Sequence, residues 1–150
     1  MGLEDNIKQK SFASEAQKAI VNVAFTQSYL SGLMHNAFKK HKISSQQFNV
    51  LRIIQGQYPK PVCITDITSR MIDKMSNASR LVDKLALKNL VARTACSTDK
   101  RQVDISITEE GQIQLQELNL LVNNIIEKHN HLSAEEFETL NNLLDKMRLE

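Results

Sequence analysis

Two groups of residues in this chain have the types and spacing to do chemistry, and in both that chemistry is contact with a polyanion. The first is Ser76, Asn77, Arg80 and Lys84. Around them Ala78, Leu81, Val82 and Leu85 recur at i, i+3, i+4 and i+7, which predicts an amphipathic helix over residues 75–88 with the polar group facing away from the core. The second is the charged end of residues 97–101, Asp99, Lys100 and Arg101. A tip that ends Asp-Lys-Arg packs poorly against apolar groups and is well suited to reaching phosphates.

Other chemistries find little support. There is no nucleophile, base and orienting group at usable spacing, no glycine-rich phosphate loop and no pair of carboxylates in a plausible cleft, so an enzyme is not expected. His35, His41, His129 and His131 lack the tight spacing of metal ligands, and neither H-E-x-x-H nor paired C-x-x-C occurs; no metal or cofactor is expected. Cys63 and Cys96 are the only cysteines, far apart and without a secretory context, and read as inert thiols of a reduced, cytoplasmic protein.

The elements that must position the two polar groups follow from periodicity and capping. Val103, Ile105 and Ile107 alternate with Gln102, Asp104 and Ser106, a strand with one face buried; residues 91–96 supply its hairpin partner. Pro61 bars helix until about Thr65, which leaves Val62, Cys63 and Ile64 as an extended piece able to add a third strand. A short helix is expected over residues 66–72, with Ile67 and Met71 inward, then a turn at Asp73 and Lys74. Asn89 takes the left-handed position after the 75–88 helix. Upstream, Ile43, Ser44, Gln47 and Phe48 form a staple around an S-x-x-Q capping box, starting a helix over Ser45–Gln55 that buries Phe48, Leu51 and Ile54.

The two ends of the chain read as long helices. Residues 12–39 are helical in pattern, with Ile20, Val23, Ala24, Leu30, Met34 and Phe38 on one face and Val21, Phe25, Tyr29 and Leu33 on another. Such a helix spans about 40 Å, too long for one small lobe to cover. Lys39, Lys40, His41 and Lys42 close it with cations where the helix dipole favours them. Thr108 caps a helix running to His129, and Leu132, Ser133, Glu136 and Phe137 repeat the staple and box before a last helix expected to bury Phe137, Leu140, Leu144 and Met147. These ends carry more apolar surface than a small domain uses, and an identical subunit is the economical partner. Net charge is +2 over 150 residues, but residues 1–59 and 60–106 each carry +4 and residues 107–150 carry −6, a basic front with an acidic end. No segment approaches a membrane span, and the N-terminus lacks a secretory pattern.

Helix, hairpin and basic tip in that order resemble the MarR family of bacterial transcription regulators, over nearly the whole chain in element order. The family's recognition-helix pattern, S-x-x-T-R-L-V-D-x-L-x-x-x-G-L-V-x-R, is met by Ser76, Ser79, Arg80, Leu81, Val82, Asp83, Leu85, Leu90, Val91 and Arg93. Its wing pattern, D-x-R-x-x-x-I-x-L-T-x-x-G, is met by Asp99, Arg101, Ile105, Ile107, Thr108 and Gly111. Ile72 and Asn89 depart from it, standing where many members have glycine.

The resemblance implies a mainly α fold with a small β-hairpin wing. Residues 44–107 would form a winged helix-turn-helix lobe, and residues 1–43 and 108–150 a helical dimerisation lobe, in a single domain. It implies a cytoplasmic homodimer on double-stranded DNA, usually a repressor, with a possible small-molecule effector. Ser76, Asn77, Ser79 and Arg80 would lie at or near bases, and Lys84 and Arg70 at phosphates. Arg101 would enter the minor groove with Asp99 steadying its guanidinium, Lys100 beside them. Asp83 is expected to pair internally with Lys84 or Arg80. For the family's ligand position the residues Tyr29, Leu33, Phe48 and Ile54 read as ordinary core. Two alternatives are a Cys-based redox or metal-responsive regulator on the same scaffold, and a winged-helix protein-interaction module, which Asn77, Arg80, Lys84, Lys100 and Arg101 oppose.

Overall fold

The computed structural model describes residues 2–96 and 102–149. Its helices are α1 (Leu3–Ile7), α2 (Glu15–Phe38), α3 (Ser45–Gln55), α4 (Ile64–Arg70), α5 (Ala78–Ala86), α6 (Glu109–Lys128) and α7 (Ala134–Lys146), with a hairpin of β1 (Val91–Ala95) and β2 (Val103–Ile107) between α5 and α6. The arrangement is mainly α with one antiparallel hairpin, as the sequence predicts.

Helix α3 is the centre. Its start is fixed by the capping box: the Gln47 amide donates to Ser44 Oγ at 3.1 Å, and the Ser44 amide donates to the Gln47 side chain at 2.9 Å. Ile43 and Phe48, the expected staple, are both in the core. Val50, Leu51 and Ile54 are buried against Phe38, Ile67, Met71, Val82, Leu85, Ile105 and Leu118, so elements from five other parts of the chain converge on this one helix. Each such side chain contributes about 1.5–3 kcal/mol by leaving water. Phe38 and Phe48 meet at 4.9 Å between ring centroids.

Three expectations need correction in the region of α4 and α5. Helix α4 begins at Ile64, not near 66, because Cys63 is extended and caps it, its amide and thiol both donating to Asp66. The third strand therefore shrinks to one bridge, Val62 with Ile105, closed by two backbone bonds of 2.9 and 2.8 Å. Helix α5 begins at Ala78, three residues later than the periodicity suggests. Asp73 accepts hydrogen bonds from the Met75 amide and the Ser76 hydroxyl, and Asn77 is extended with its side chain accepting from the Arg80 amide. These short polar side chains offer the backbone a turn in place of another helical turn.

The end of α5 is a glycine-free Schellman turn. Asn89 stands at φ 58°, the Leu90 amide donates to the Leu85 carbonyl and the Asn89 amide to the Ala86 carbonyl. The same turn is clamped to the start of α6. Thr108 donates from its amide to the Leu90 carbonyl (3.1 Å) and from its hydroxyl to the Asn89 carbonyl (2.6 Å), while that hydroxyl accepts from the Gly111 amide (3.0 Å). One residue thus caps α6 and holds the last turn of α5. The fit at Gly111 is so close that a Cβ there would lie 2.0 Å from the Leu90 carbonyl oxygen.

The long helices at the two ends stay largely uncovered within one chain. Only Phe38 of α2 is buried, and Ile20, Val23, Tyr29 and Leu30 are exposed. No residue of α7 is buried; Phe137, Leu140 and Met147 are exposed and Leu144 half-buried, so the expected burial of that face does not occur within the chain. At the α2 end, Lys39–His41 form one tighter turn, and His41 meets Gln114 at 2.8 Å and Glu117 at 3.6 Å, fastening it to α6. Helix α1, which the sequence pattern misses, is held to α2 by Glu4 and Lys18 at 2.5 Å.

Candidate nucleic-acid interface

The buried stripe of α5 (Ala78, Val82, Leu85) fixes which side of the helix looks outward. Ser79, Arg80 and Lys84 are exposed on that outer side. With Gln46 of α3 and Ser76, Asn77 and Leu81, Arg80 and Lys84 line a shallow surface cleft. The structure therefore brings together four of the sequence-derived candidates, Ser76, Asn77, Arg80 and Lys84, and keeps Ser79 on the same helix.

Two of these candidates are engaged within the chain. Asn77 uses its side-chain oxygen to cap the helix through the Arg80 amide at 3.0 Å, which leaves its NH₂ group to face a partner. Ser76 donates its hydroxyl to Asp73 Oδ2 at 2.6 Å. The Ser76 hydroxyl, and after it the Met75 amide, hold the Asp73 carboxyl below the usual carboxylate range, with the Gln46 side chain also contributing. The turn before α5 is pinned at further points: the Ile72 amide donates to Asn49 of α3 at 3.0 Å, and the Lys74 ammonium donates to the Ser69 carbonyl.

Arg70 ends α4 and is not among the residues lining that cleft; its charge helps lower the Asp66 carboxyl, although the Cys63 thiol and amide are the larger causes. Asp99, Lys100 and Arg101 lie outside the described residues. Asp83 pairs with Arg93 of β1, not with Lys84 or Arg80, so α5 is tied sideways to the hairpin and Arg80 and Lys84 remain available. That pairing was hidden in the sequence because its partner is ten residues away on another element.

Sequence reasoning also missed Gln46 and a cationic cluster. Lys88 donates its ammonium to the Lys42 carbonyl, and burial, followed by the charges of Lys42 and Lys84, pushes its pKa down. The charges of Lys42 and Lys84 thus act on Lys88 in the same sense as its burial. A run of lysines at 39, 40 and 42 was visible, but its approach to Lys88 depends on how α3 packs against α5.

Of the ligand-position residues, Phe48 and Ile54 are core, as expected. Tyr29 is exposed and Leu33 half-buried; both line a groove along α2 with Phe25, Ser28, Gly32 and Asn36, and Tyr29 packs edge-on to His129 at 5.7 Å. Among the described residues no group of three His, Cys, Asp or Glu could hold a metal ion, and no helix is long and apolar enough to cross a membrane.

The geometry is that of a helix-turn-helix followed by a hairpin, and comparison with known proteins agrees. The MarR family model matches residues 43–103. The transcriptional repressor MdtR of Bacillus subtilis is 40% identical over 55 residues, 37% of this chain and 36% of its own length. A MarR transcription factor from Planctomyces limnophilus is 27% identical with a TM-score of 0.69, covering 90% of this chain and 98% of that one.

Over residues 43–103 this chain matches the MarR family, and its fold is that of MarR-like structures.

A third relative, a mutant MarR from E. coli crystallised in complex with operator DNA, has the same fold, with a TM-score of 0.76 at 21% identity over 93% of this chain and all of that one. The span matched by the MarR model opens at Ile43, the α3 staple, and closes at Val103, where β2 begins. It therefore contains α3, α4, α5 and β1, including every residue that lines the cleft, and leaves out the long helices. The alignment with MdtR takes in only about a third of that protein's length.

Proposed function

We propose that this chain is a MarR-family transcriptional regulator that binds double-stranded DNA sequence-specifically and acts in the cytoplasm as a homodimer on a two-fold symmetric operator. The observation that carries this reading is the outer face of α5. A helix whose opposite stripe is wholly buried presents Ser79, Arg80 and Lys84 beside a cleft, and its flanks are held by the Asn77 cap, the Asp83–Arg93 pair and the Thr108 clamp. Such a helix enters a major groove as a rigid body. Arg80 is the side chain able to make a bidentate contact with guanine, with Ser79 and the Asn77 NH₂ beside it. Lys84, Arg70 and the Lys42–Lys88 cluster contact phosphates, which fix register and carry no sequence information.

In this reading Arg101 at the wing tip enters the adjacent minor groove, Lys100 adds charge and Asp99 orients the guanidinium. The exposed apolar faces of α2, α6 and α7 support the dimer: Leu30, Ile113, Ile126, Phe137, Leu140 and Leu143 are all exposed in one chain. Residues 1–43 and 108–150 then form the shared lobe and residues 44–107 the DNA-binding lobe, and two-fold symmetry sets the half-sites about one helical turn apart. Repression is supported by the name of MdtR, the relative at 40% identity. A small-molecule effector acts here by preferring one spacing of the two α5 helices, since only a difference in affinity between states shifts their balance.

The test is a fluorescence-anisotropy titration of labelled duplex at several salt concentrations. A steep fall in affinity with rising salt, with a log–log slope of about −0.9 for each phosphate neutralised, is expected. Affinity that is absent at low ionic strength, or independent of salt, rejects the reading.

A further inference from the structure

The turn that feeds α5 exposes two large apolar side chains. Met75 is 94% exposed and Ile72 87% exposed. Single apolar residues on a surface are ordinary. These two differ in that the backbone beneath each is fixed: the Ile72 amide donates to Asn49 at 3.0 Å, and the Met75 amide donates to Asp73 at 3.0 Å. The next two residues, Ser76 and Asn77, have their side chains engaged with Asp73 and with the Arg80 amide, and both line the cleft beside α5. The leading edge of the helix therefore has fewer polar groups to offer base edges than its sequence suggests, and it has an exposed apolar side chain on a fixed backbone immediately before them in the chain.

We infer that Met75, with Ile72 beside it in the same turn, is a specificity determinant that reads the 5-methyl group of thymine in the major groove. This rests on the DNA-binding reading above and adds a readout to it. The major-groove edge offers one apolar feature, that methyl, and apolar side chains recognise it by contact. Methionine is suited to the task, being unbranched and polarisable and so able to conform to a small apolar group. The Asp73 hydrogen bonds give the flexible side chain a fixed base. Arg80 then selects guanine and Met75 thymine, two marks on one half-site.

The experiment replaces thymines one at a time by deoxyuridine in a duplex that the full-length protein binds, which removes a methyl and nothing else. Wild-type protein is expected to lose about fourfold in affinity at one thymine of each half-site, the effect of taking one methyl out of contact. Met75→Ser should bind the unmodified duplex more weakly and be indifferent to that deoxyuridine, and Met75→Leu should restore the difference. Because Met75 is exposed, these variants should melt at the wild-type temperature. Wild-type binding that is indifferent at every thymine, a bound half-site without thymine, or a deoxyuridine penalty equally large in Met75→Ser overturns the inference and leaves the DNA-binding reading standing. Failure to bind any duplex overturns both.

Discussion

Gly111→Ala sets two effects of opposite sign against each other, and the structure decides between them. Gly111 lies in the first turn of α6 with no positive φ, so its backbone is one that alanine adopts without strain. Helix propensity alone would favour alanine by about 1 kcal/mol. A Cβ at this position, however, falls 2.0 Å from the Leu90 carbonyl oxygen and 2.8 Å from Ile107 Cγ1. The first obstacle is backbone, and it is the same carbonyl that accepts from the Thr108 amide, next to the one that accepts from the Thr108 hydroxyl. Making room means separating the start of α6 from the end of α5, at about 1–3 kcal/mol for overpacking and about 1 kcal/mol for each hydrogen bond lost. After the propensity gain, the net loss is about 2–4 kcal/mol. Urea unfolding at one fixed protein concentration is the assay, since association adds to apparent stability. A lower midpoint at an unchanged slope is expected. A variant as stable as wild type, or more stable, would show that the clamp between α5 and α6 is not as close as described.

Three further outcomes follow from the site and the uncovered helices. Arg80→Ala should weaken operator binding by about 1–3 kcal/mol and relax the preference for guanine at one position, whereas Lys84→Gln should weaken all sequences alike and reduce the salt slope by about one; equal loss of sequence preference in both would remove the distinction between the two residues. Leu140→Glu and Leu143→Glu, on the exposed face of α7, should give folded monomers in sedimentation experiments; a persistent dimer would place the partner contact elsewhere. The Asp73 carboxyl, held down first by the Ser76 hydroxyl, should titrate by NMR below the value of an unstructured aspartate and move up in Ser76→Ala. Because its folded pKa is the lower one, its contribution to the turn is complete above about pH 4 and lost as pH falls through the folded value; an unshifted titration in the wild type would contradict the Asp73 turn.

What could be read in advance was local. Ser44 with Gln47 and Ser133 with Glu136 are reciprocal caps written in four residues, and the starts of α3 and α7 fall where those pairs place them. Asn89 announced its left-handed turn, and Thr108 its cap, for the same reason. Apolar periodicity alone carries the α5 pattern past Ser76 and Asn77, residues that prefer turns and caps; Asp73, three residues before Ser76, is the signal in the sequence that the helix starts later. Cys63 is a rare cap, so the sequence does not mark Ile64 as the first residue of α4. Contacts that depend on packing were out of reach, among them Asp83 with Arg93 and Lys88 with Lys42. The apolar pattern of α7 was legible, yet periodicity shows only that a face seeks cover, not which chain supplies it. Ser76, Asn77, Arg80 and Lys84 are legible in the sequence and Gln46 is not; the internal engagement of Ser76 and Asn77, and the exposure of Met75, come from the turn geometry.

The central claim is that two copies of α5, held at a fixed separation, read the two halves of one symmetric site. Selection of duplexes from a random pool by the purified full-length protein, followed by sequencing of the survivors, measures this most directly. The expected result is an inverted repeat whose half-sites are centred about one helical turn apart, each containing a guanine whose preference is lost in Arg80→Ala. Enrichment of a lone, asymmetric site, or of no sequence at all, would contradict it.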